Sequence, residues 1–281
     1  MIGVVVMAYG TPASPDEVEA YYTHIRRGRP PTDEQLADLR SRYEAIGGIS
    51  PLRAISESQV ARIRAALGEG YEVALGMKHA APFIEDAVAS LGDVERIVGV
   101  VLAPHFSRGS VGEYLDRLRG AAAVPVTGIE TWADLDEWLD FQAAAVRGAL
   151  APDTTVVFTA HSLPERVLEG DRYPDELAAS AAAIAARAGV SEWRVAWQSA
   201  GRTPEPWRGP DILEVLRDVD APGVLVCAQG FTADHLEVLY DLDVQATSLA
   251  EDLGIAFART RMVNDDVTVL AALADRIRSC A

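Results

Sequence analysis

Short apolar runs rich in β-formers alternate with longer helical patterns along the chain, and this alternation constrains the fold more than any other feature. Such alternation predicts parallel sheets with helices on both faces, an α/β fold. The predicted strands are 2–7, 71–77, 96–103, 154–160, 193–198, 222–228 and 254–258. The predicted helices are 14–26, 33–45, 52–67, 82–91, 110–120, 134–149, 174–188, 210–218, 235–251 and 265–279.

Two sheets are expected rather than one, because the first three strands and the next three form separate groups. We expect one domain made of residues 1–104 together with 260–281, whose helix packs back onto it. Residues 105–259 would form the second domain. In each group, strands run directly into polar loops, and ligands of open parallel sheets sit beyond the carboxyl ends of the strands.

Composition excludes several classes of protein. No run of about 18 apolar residues is present, so we expect no membrane span. The apolar start without a basic leader argues against a signal peptide. The net charge of −17 opposes binding to nucleic acid or anionic lipid. Only Cys227 and Cys280 are present, which suggests a reducing cytoplasm and excludes an iron–sulfur cluster on four cysteines of one chain.

His161 directly follows the predicted strand 154–160. An imidazole at this edge of a sheet can bind a transition metal or transfer protons. A structural interpretation is equally open, in which Ser162 caps a helix, Glu165 completes the capping box and His161 merely precedes them. A nucleophilic Ser162 is a third interpretation, but the Gly-x-Ser-x-Gly turn is missing.

Glu237 lies in the segment that follows the predicted strand 222–228 of the same group. With Asp234 and Asp241 it has spacings of three and four residues, which would place the three carboxylates on one helix face. An acidic first turn favoured by the helix dipole explains Asp234 well and Asp241 less well. Because like charges one turn apart repel, the row suggests a nearby cation.

Basic and aromatic side chains cluster in the first part of this acidic chain. Arg26 begins the segment Arg-Arg-Gly-Arg, which could be a basic helix end or a clamp for carboxylates. Arg42 and Tyr43 precede a Gly-Gly turn that leads to Ser50. Tyr9 follows the first strand, where its phenol is either a rim aromatic or an iron ligand.

Three further residues have more than one interpretation. His79 and His105 are either structural residues or part of a site, and sequence alone does not assign them as metal ligands. Tyr114 lies in the helix after His105 and could form part of an apolar wall around a ligand.

A series of segments, in order over nearly the whole chain, resembles the ferrochelatase family. They are MAYGTP (7–12), YTHIRRGR (22–29), RYEAIGGISP (42–51), LAPHFS (102–107), AHSLPE (160–165), WQS (197–199), PWRGP (206–210) and GFTADHLEVLYD (230–241). The chain looks most like the bacterial coproporphyrin III ferrochelatases of Gram-positive lineages.

The resemblance implies two Rossmann-like domains of the chelatase type, with a porphyrin cleft between them. It implies insertion of ferrous iron into coproporphyrin III in haem biosynthesis, with release of two protons. Iron would be a substrate, and no tightly bound cofactor is expected. The alternatives are a protoporphyrin IX ferrochelatase and a non-catalytic porphyrin- or haem-binding protein. We expect a monomer, and a haem-pathway enzyme could accept the product.

The resemblance also suggests roles for individual residues. His161 and Glu237 match the family's catalytic metal-site pair, and Tyr9 matches the tyrosine that binds iron from the other face of the porphyrin. Asp241 could relay protons or metal. Positions that contact the tetrapyrrole are matched by Arg26, Arg42, Tyr43, Ser50 and Tyr114. Gln245 replaces a carboxylate expected one turn beyond Asp241, which makes an outer metal site doubtful.

Overall fold

The computed structural model describes all 281 residues. Its strands are β1 (Ile2–Ala8), β2 (Tyr71–Met77), β3 (Arg96–Val101), β4 (Val126–Ile129), β5 (Thr154–His161), β6 (Trp193–Gln198), β7 (Gly223–Cys227) and β8 (Ala256–Arg259). Its α-helices are α1 (Val18–Ile25), α2 (Asp33–Ala45), α3 (Leu52–Leu67), α4 (Ile84–Ser90), α5 (Glu113–Ala121), α6 (Asp136–Ala149), α7 (Glu165–Leu168), α8 (Tyr173–Ala188), α9 (Ile212–Asp218), α10 (Leu236–Val238), α11 (Thr247–Leu253) and α12 (Val267–Ser279). A 3₁₀ turn, Pro15–Glu17, precedes α1, and π-helical segments occupy Arg108–Gly112 and Leu239–Ala246.

The strands form two parallel four-stranded sheets, which confirms the predicted fold class. The orders are β2-β1-β3-β4 in the first sheet and β6-β5-β7-β8 in the second. All strand pairs are parallel, so the carboxyl ends of each sheet lie along one edge.

The strand β4 was not predicted. It has only four residues, and Gly128 interrupts its β-forming pattern. Its position comes from tertiary structure, since it pairs with β3. A Cβ atom at Gly128 would lie 2.8 Å from the Leu115 side chain, so helix α5 packs directly against this strand. Residues 113–129, from α5 to β4, thus lie with the first sheet rather than with the second domain, where the sequence placed them.

One apolar cluster joins the two sheets. It contains Val4 and Val98 from the first sheet, Phe158 from the second, and the fully buried Trp138 of α6. Helix α12 belongs to the same cluster and packs against α3, which covers the first sheet. The two sheets are therefore held in a fixed relation by a shared core. No helix of the fold has the length and apolar character needed to cross a membrane.

The predicted helix 235–251 is not a single α-helix. It begins as the short α10, continues as the π-helix Leu239–Ala246 and ends as α11. Hydrophobic periodicity cannot distinguish these geometries over so few turns, and π-helical segments occur often at functional sites.

Candidate active site

A cleft of about 690 Å³ lies at the carboxyl ends of the strands, between the two halves of the molecule. Its volume falls within the range of about 300–1,000 Å³ that is common for small-molecule and cofactor sites. The lining includes most of the side chains singled out from sequence: Tyr9, Arg42, Tyr43, Ser50, Tyr114, His161, Glu237 and Asp241. The structure thus brings residues from distant parts of the chain around one space.

His161 and Glu237 face each other in this cleft. Nε2 of His161 lies 3.5 Å from Oε1 of Glu237, and both side chains are about one-third exposed. Gly230 allows the approach, because a Cβ atom there would lie 2.4 Å from Cβ of Ala160. The segment that leads to Glu237 therefore passes directly against the end of β5.

The tautomer of His161 follows from its other contact. Nδ1 lies 2.5 Å from the carbonyl oxygen of Ser162, which can only accept, so Nδ1 carries a proton and Nε2 faces Glu237. Burial opposes the charged imidazolium, but the Glu237 carboxylate outweighs it and raises the pKa of His161 above its usual value. Burial likewise opposes the Glu237 carboxylate, but the His161 imidazolium holds the pKa of Glu237 well below its usual value. These opposite pKa shifts favour an ion pair between the two side chains.

A second imidazole holds the other oxygen of Glu237. Nε2 of His235 lies 3.5 Å from Oε2 of Glu237, while Nδ1 of His235 donates to the carbonyl of Ala233 at 2.9 Å. Glu237 is thus flanked by two ring nitrogens.

A buried glutamine connects the strands below the pair. Oε1 of Gln198 accepts from the Thr159 hydroxyl at 2.8 Å, and Nε2 donates to the backbone carbonyl of Glu237 at 3.3 Å. Gln198 is fully buried at the end of β6, in register with His161. This contact was missed from sequence because it depends on a strand pairing that no local pattern encodes.

Asp241 lies one turn beyond Glu237, in the π-helix, and is 7% exposed. Its Oδ2 atom accepts a hydrogen bond of 2.5 Å from the Ser199 hydroxyl. Burial raises the pKa of Asp241 to about 6, although the Ser199 hydroxyl lowers it. The expectation that Asp234 shares this face is wrong, because Asp234 pairs with Arg259 at 3.0 Å and does not line the cleft.

The aromatic residues predicted for the site line the cleft from the first half of the molecule. Tyr9 follows β1 and is 42% exposed. The Tyr43 and Tyr114 side chains are buried, and burial raises the pKa of Tyr43 to about 12, so its phenol is neutral. The Tyr43 hydroxyl lies 3.3 Å from the Thr11 hydroxyl. These rings supply an aromatic part of the cleft lining.

The arginines are arranged differently from the sequence interpretation. Arg26 does not line the cleft; its Nε donates to the carbonyl of Arg29, and its guanidinium lies over the Tyr22 ring. Its neighbour Arg27 lines the cleft instead. The chain turns there, since Arg27 has φ +56°, and this turn directs adjacent side chains apart.

Arg42 and a second arginine share one carboxylate at the edge of the cleft. Asp38 accepts from Arg42 at 3.0 Å and from Arg202 at 2.8 Å. The Arg42 guanidinium also lies over the Tyr240 ring, 5.1 Å from its centroid. Arg202 was not predicted as a cleft residue, because the sequence shows only a basic residue in the loop after β6.

Two alternatives for the segment after β5 are not supported. The Ser162 hydroxyl is buried and donates to the carbonyl of Arg208 at 2.8 Å, so it is not positioned as a nucleophile. It also does not cap a helix, because α7 begins at Glu165 after Pro164 and has no side-chain cap. The position of His161 therefore needs an explanation other than helix capping.

The remaining predicted histidines occupy different environments. His105 is 2% exposed; its Nε2 lies 2.8 Å from the Ser180 hydroxyl, and its Nδ1 has no partner. Its pKa is lowered to about 3 by burial, so it is neutral. His79 lines the cleft and its Nδ1 lies 3.0 Å from Nδ1 of His24.

Comparison with known proteins identifies close relatives. The ferrochelatase family model matches residues 1–281. The chain is 42% identical over 295 residues to a coproporphyrin III ferrochelatase of Geobacillus kaustophilus, covering 97% of this chain and 93% of that protein. It is 42% identical over 296 residues to a coproporphyrin III ferrochelatase of Bacillus subtilis, covering 97% and 96% of the two chains.

Two solved structures share the fold of this chain. The chain superposes on CbiX, described as the terminal enzyme for siroheme biosynthesis in denitrifying bacteria, with a TM-score of 0.59, 16% identity and 99% coverage of both chains. It superposes on the sirohydrochlorin chelatase SirB from Bacillus subtilis subspecies spizizenii with a TM-score of 0.59 and 12% identity, covering 100% and 95% of the two chains. At these identities the likeness shows the fold alone.

Proposed function

The chain belongs to the ferrochelatase family, and on that basis we propose that it inserts ferrous iron into coproporphyrin III to give Fe-coproporphyrin III in haem biosynthesis. The observation that carries the proposal is the pair formed by His161 and Glu237, 3.5 Å apart at the wall of a cleft that also contains cationic side chains. Imidazole and carboxylate together can bind a first-row divalent metal and accept protons.

Chelation requires that two pyrrole protons leave as iron enters. Since Nδ1 of His161 donates to a backbone carbonyl, Nε2 is its one free ring nitrogen. At any moment Nε2 binds either a proton or the metal. When His161 is protonated, the Glu237 carboxylate can bind the metal. When His161 binds the metal, the Glu237 carboxylate can accept the proton.

Asp241 is placed to take protons away from the pair. Its raised pKa, about 6, lets it both accept and release a proton near neutral pH. Its hydrogen bond to Ser199 leads toward the cleft surface, where Ser199 also lies. Asp241 would thus pass protons from Glu237 outward.

The first half of the molecule supplies the opposite wall. We propose that Tyr9 binds iron from the face of the macrocycle opposite His161, and that Tyr43, Ser50 and Tyr114 contact the tetrapyrrole. Arg27 and Arg42 would bind propionates, because guanidinium groups bind carboxylates through paired hydrogen bonds. In a chain of net charge −17, cations along this cleft are favourable for an anionic ligand.

Other properties complete the proposal. Iron is a substrate and no tightly bound cofactor takes part; in particular, the two cysteines cannot supply an iron–sulfur cluster. The protein would work in the cytoplasm as a monomer and pass its product to a later enzyme of the pathway.

A competition assay under anaerobic conditions tests the substrate. Purified protein, Fe²⁺ and an equimolar mixture of coproporphyrin III and protoporphyrin IX should give mainly Fe-coproporphyrin III, because four propionates make more use of the cationic edge than two. Preference for protoporphyrin IX would refute this choice of substrate. Porphyrin binding with no insertion of iron into either substrate would instead support a carrier.

A further inference from the structure

We propose that His24 and His79 form a second binding site for a first-row divalent cation at the mouth of the cleft, separate from His161 and Glu237. The Nδ1 atoms of the two imidazoles lie 3.0 Å apart. Two nitrogens bound about 2.1 Å from one metal at a right angle would also be about 3.0 Å apart. The rings thus already have the spacing of neighbouring ligands.

The two histidines reach this position from separate elements that hold them in place. His24 lies in the last turn of α1, and its ring stacks on Phe83 at a centroid distance of 5.1 Å. The backbone N–H of His79 donates to the carbonyl of Tyr9 at 2.9 Å, and its ring lies 4.7 Å from the Tyr9 ring. Such support reduces the cost of ordering the ligands when a cation binds.

Neither of these Nδ1 atoms faces a carboxylate partner. In the metal-free protein one Nδ1–H donates to the other Nδ1, so only one of the two imidazoles can be the donor. Metal binding requires this proton to move to the Nε2 atom of the same ring, and no proton is lost. Imidazole nitrogens suit iron, cobalt, nickel, copper and zinc. Water would complete the coordination.

The nearest cations, Lys78 and Arg117, are each paired with an acidic side chain. Lys78 Nζ lies 2.6 Å from Glu113, and Arg117 binds Glu85 through two hydrogen bonds of 3.0 and 2.7 Å. Arg117 also donates to the carbonyl of Lys78. A cation between the histidines therefore meets paired rather than isolated positive charges.

The site lies between bulk solvent and the cleft. His24 is exposed to solvent, whereas His79 lines the cleft on the side of Tyr9. A cation held between them contacts bulk water on one side and the cleft on the other. His24 and His79 lie at the mouth of the cleft, away from His161 and Glu237. A cation can therefore bind between them when no porphyrin is present.

Titration with Co²⁺ alone, followed by visible absorption and calorimetry on the full chain without porphyrin, tests the site. Wild-type protein should bind one equivalent of Co²⁺ more than either His24→Ala or His79→Ala. Thr23→Ala, next to His24 on the same helix, should retain the wild-type stoichiometry. Circular dichroism checks that each variant folds.

An equal number of Co²⁺ ions bound by wild type, His24→Ala and His79→Ala would overturn the proposal. The result is independent of the proposed catalytic site, whose own contribution would be lost in His161→Ala. The loss of Co²⁺ binding at one site can therefore be distinguished from its loss at the other.

Discussion

Arg202 donates a hydrogen bond of 2.8 Å to Asp38, so an arginine in the loop after β6 of the second sheet is paired with an aspartate of α2 in the first half. The same carboxylate accepts from Arg42. A substrate propionate that binds Arg42 must compete with Asp38, and the Asp38 charge repels the anionic ligand.

Asp38→Asn should therefore strengthen porphyrin binding. Exposed ion pairs contribute about 0.2–1 kcal/mol, so the KM for coproporphyrin III should fall by up to about fivefold. Steady-state kinetics measure the change. Asp33→Asn removes an equal charge from the start of the same helix and should have little effect. A higher KM in Asp38→Asn would mean that Asp38 instead positions Arg42 for the substrate.

Two adjacent arginines give a matched comparison. Arg27 lines the cleft, whereas Arg26 is turned to the carbonyl of Arg29. Arg27→Ala should raise the KM for coproporphyrin III about fivefold, the cost of roughly 1 kcal/mol for one exposed charge pair. Arg26→Ala should change it much less. Steady-state kinetics measure KM, and fluorescence quenching of porphyrin checks binding. A larger effect of Arg26→Ala than of Arg27→Ala would support the interpretation from sequence.

Gln198 should act as a positioning residue for Glu237. Gln198→Ala removes its bond to the Glu237 carbonyl and leaves the Thr159 hydroxyl without its partner. We expect a lower free energy of unfolding by about 1–3 kcal/mol, the cost of unsatisfied buried polar groups. Turnover should fall while the KM for porphyrin stays constant. Thr159→Val keeps the bond to Glu237, so its kcat should fall less; equal losses of kcat would exclude a specific role for Gln198.

His105 should make stability depend on pH. Burial lowers its folded pKa to about 3, whereas the unfolded value is near the usual 6.5. Below pH 6.5 the unfolded chain binds a proton that the folded protein does not bind. The free energy of unfolding is therefore unaffected by His105 above pH 6.5. Below that pH it falls by about 1.4 kcal/mol per pH unit, until the pH approaches 3.

Denaturant unfolding between pH 7 and pH 4 measures this effect by comparison with His105→Gln. The amide can replace the imidazole near the Ser180 hydroxyl but does not titrate. The variant should lose less stability on acidification than wild type. Parallel pH profiles would show that His105 is not the group responsible.

Much of the fold could be predicted because hydrophobic periodicity encodes it locally. Strands β2 and β6 were predicted with the bounds observed, and so were helices α2 and α3. What failed depends on tertiary contacts. Strand β4 forms by pairing with β3, and the π-helix Leu239–Ala246 follows from packing that no local pattern reports.

The site shows the same division. Strand ends located His161 and Glu237, because ligands gather at that edge of a parallel sheet. Their separation could not be predicted, since it depends on the contact of Gly230 with Ala160. Sequence also could not distinguish Arg26 from Arg27, because that choice rests on a single backbone turn at φ +56°.

In the proposed mechanism, His161 and Glu237 insert the metal and do not hold the porphyrin. These roles are tested by following iron insertion and porphyrin binding side by side in wild type, His161→Ala and Glu237→Gln. Both variants should lose insertion of Fe²⁺ into coproporphyrin III by at least about a hundredfold, as expected when a general acid–base group is removed. Both should still quench porphyrin fluorescence with near wild-type affinity. Insertion at the wild-type rate in either variant would contradict these roles of His161 and Glu237.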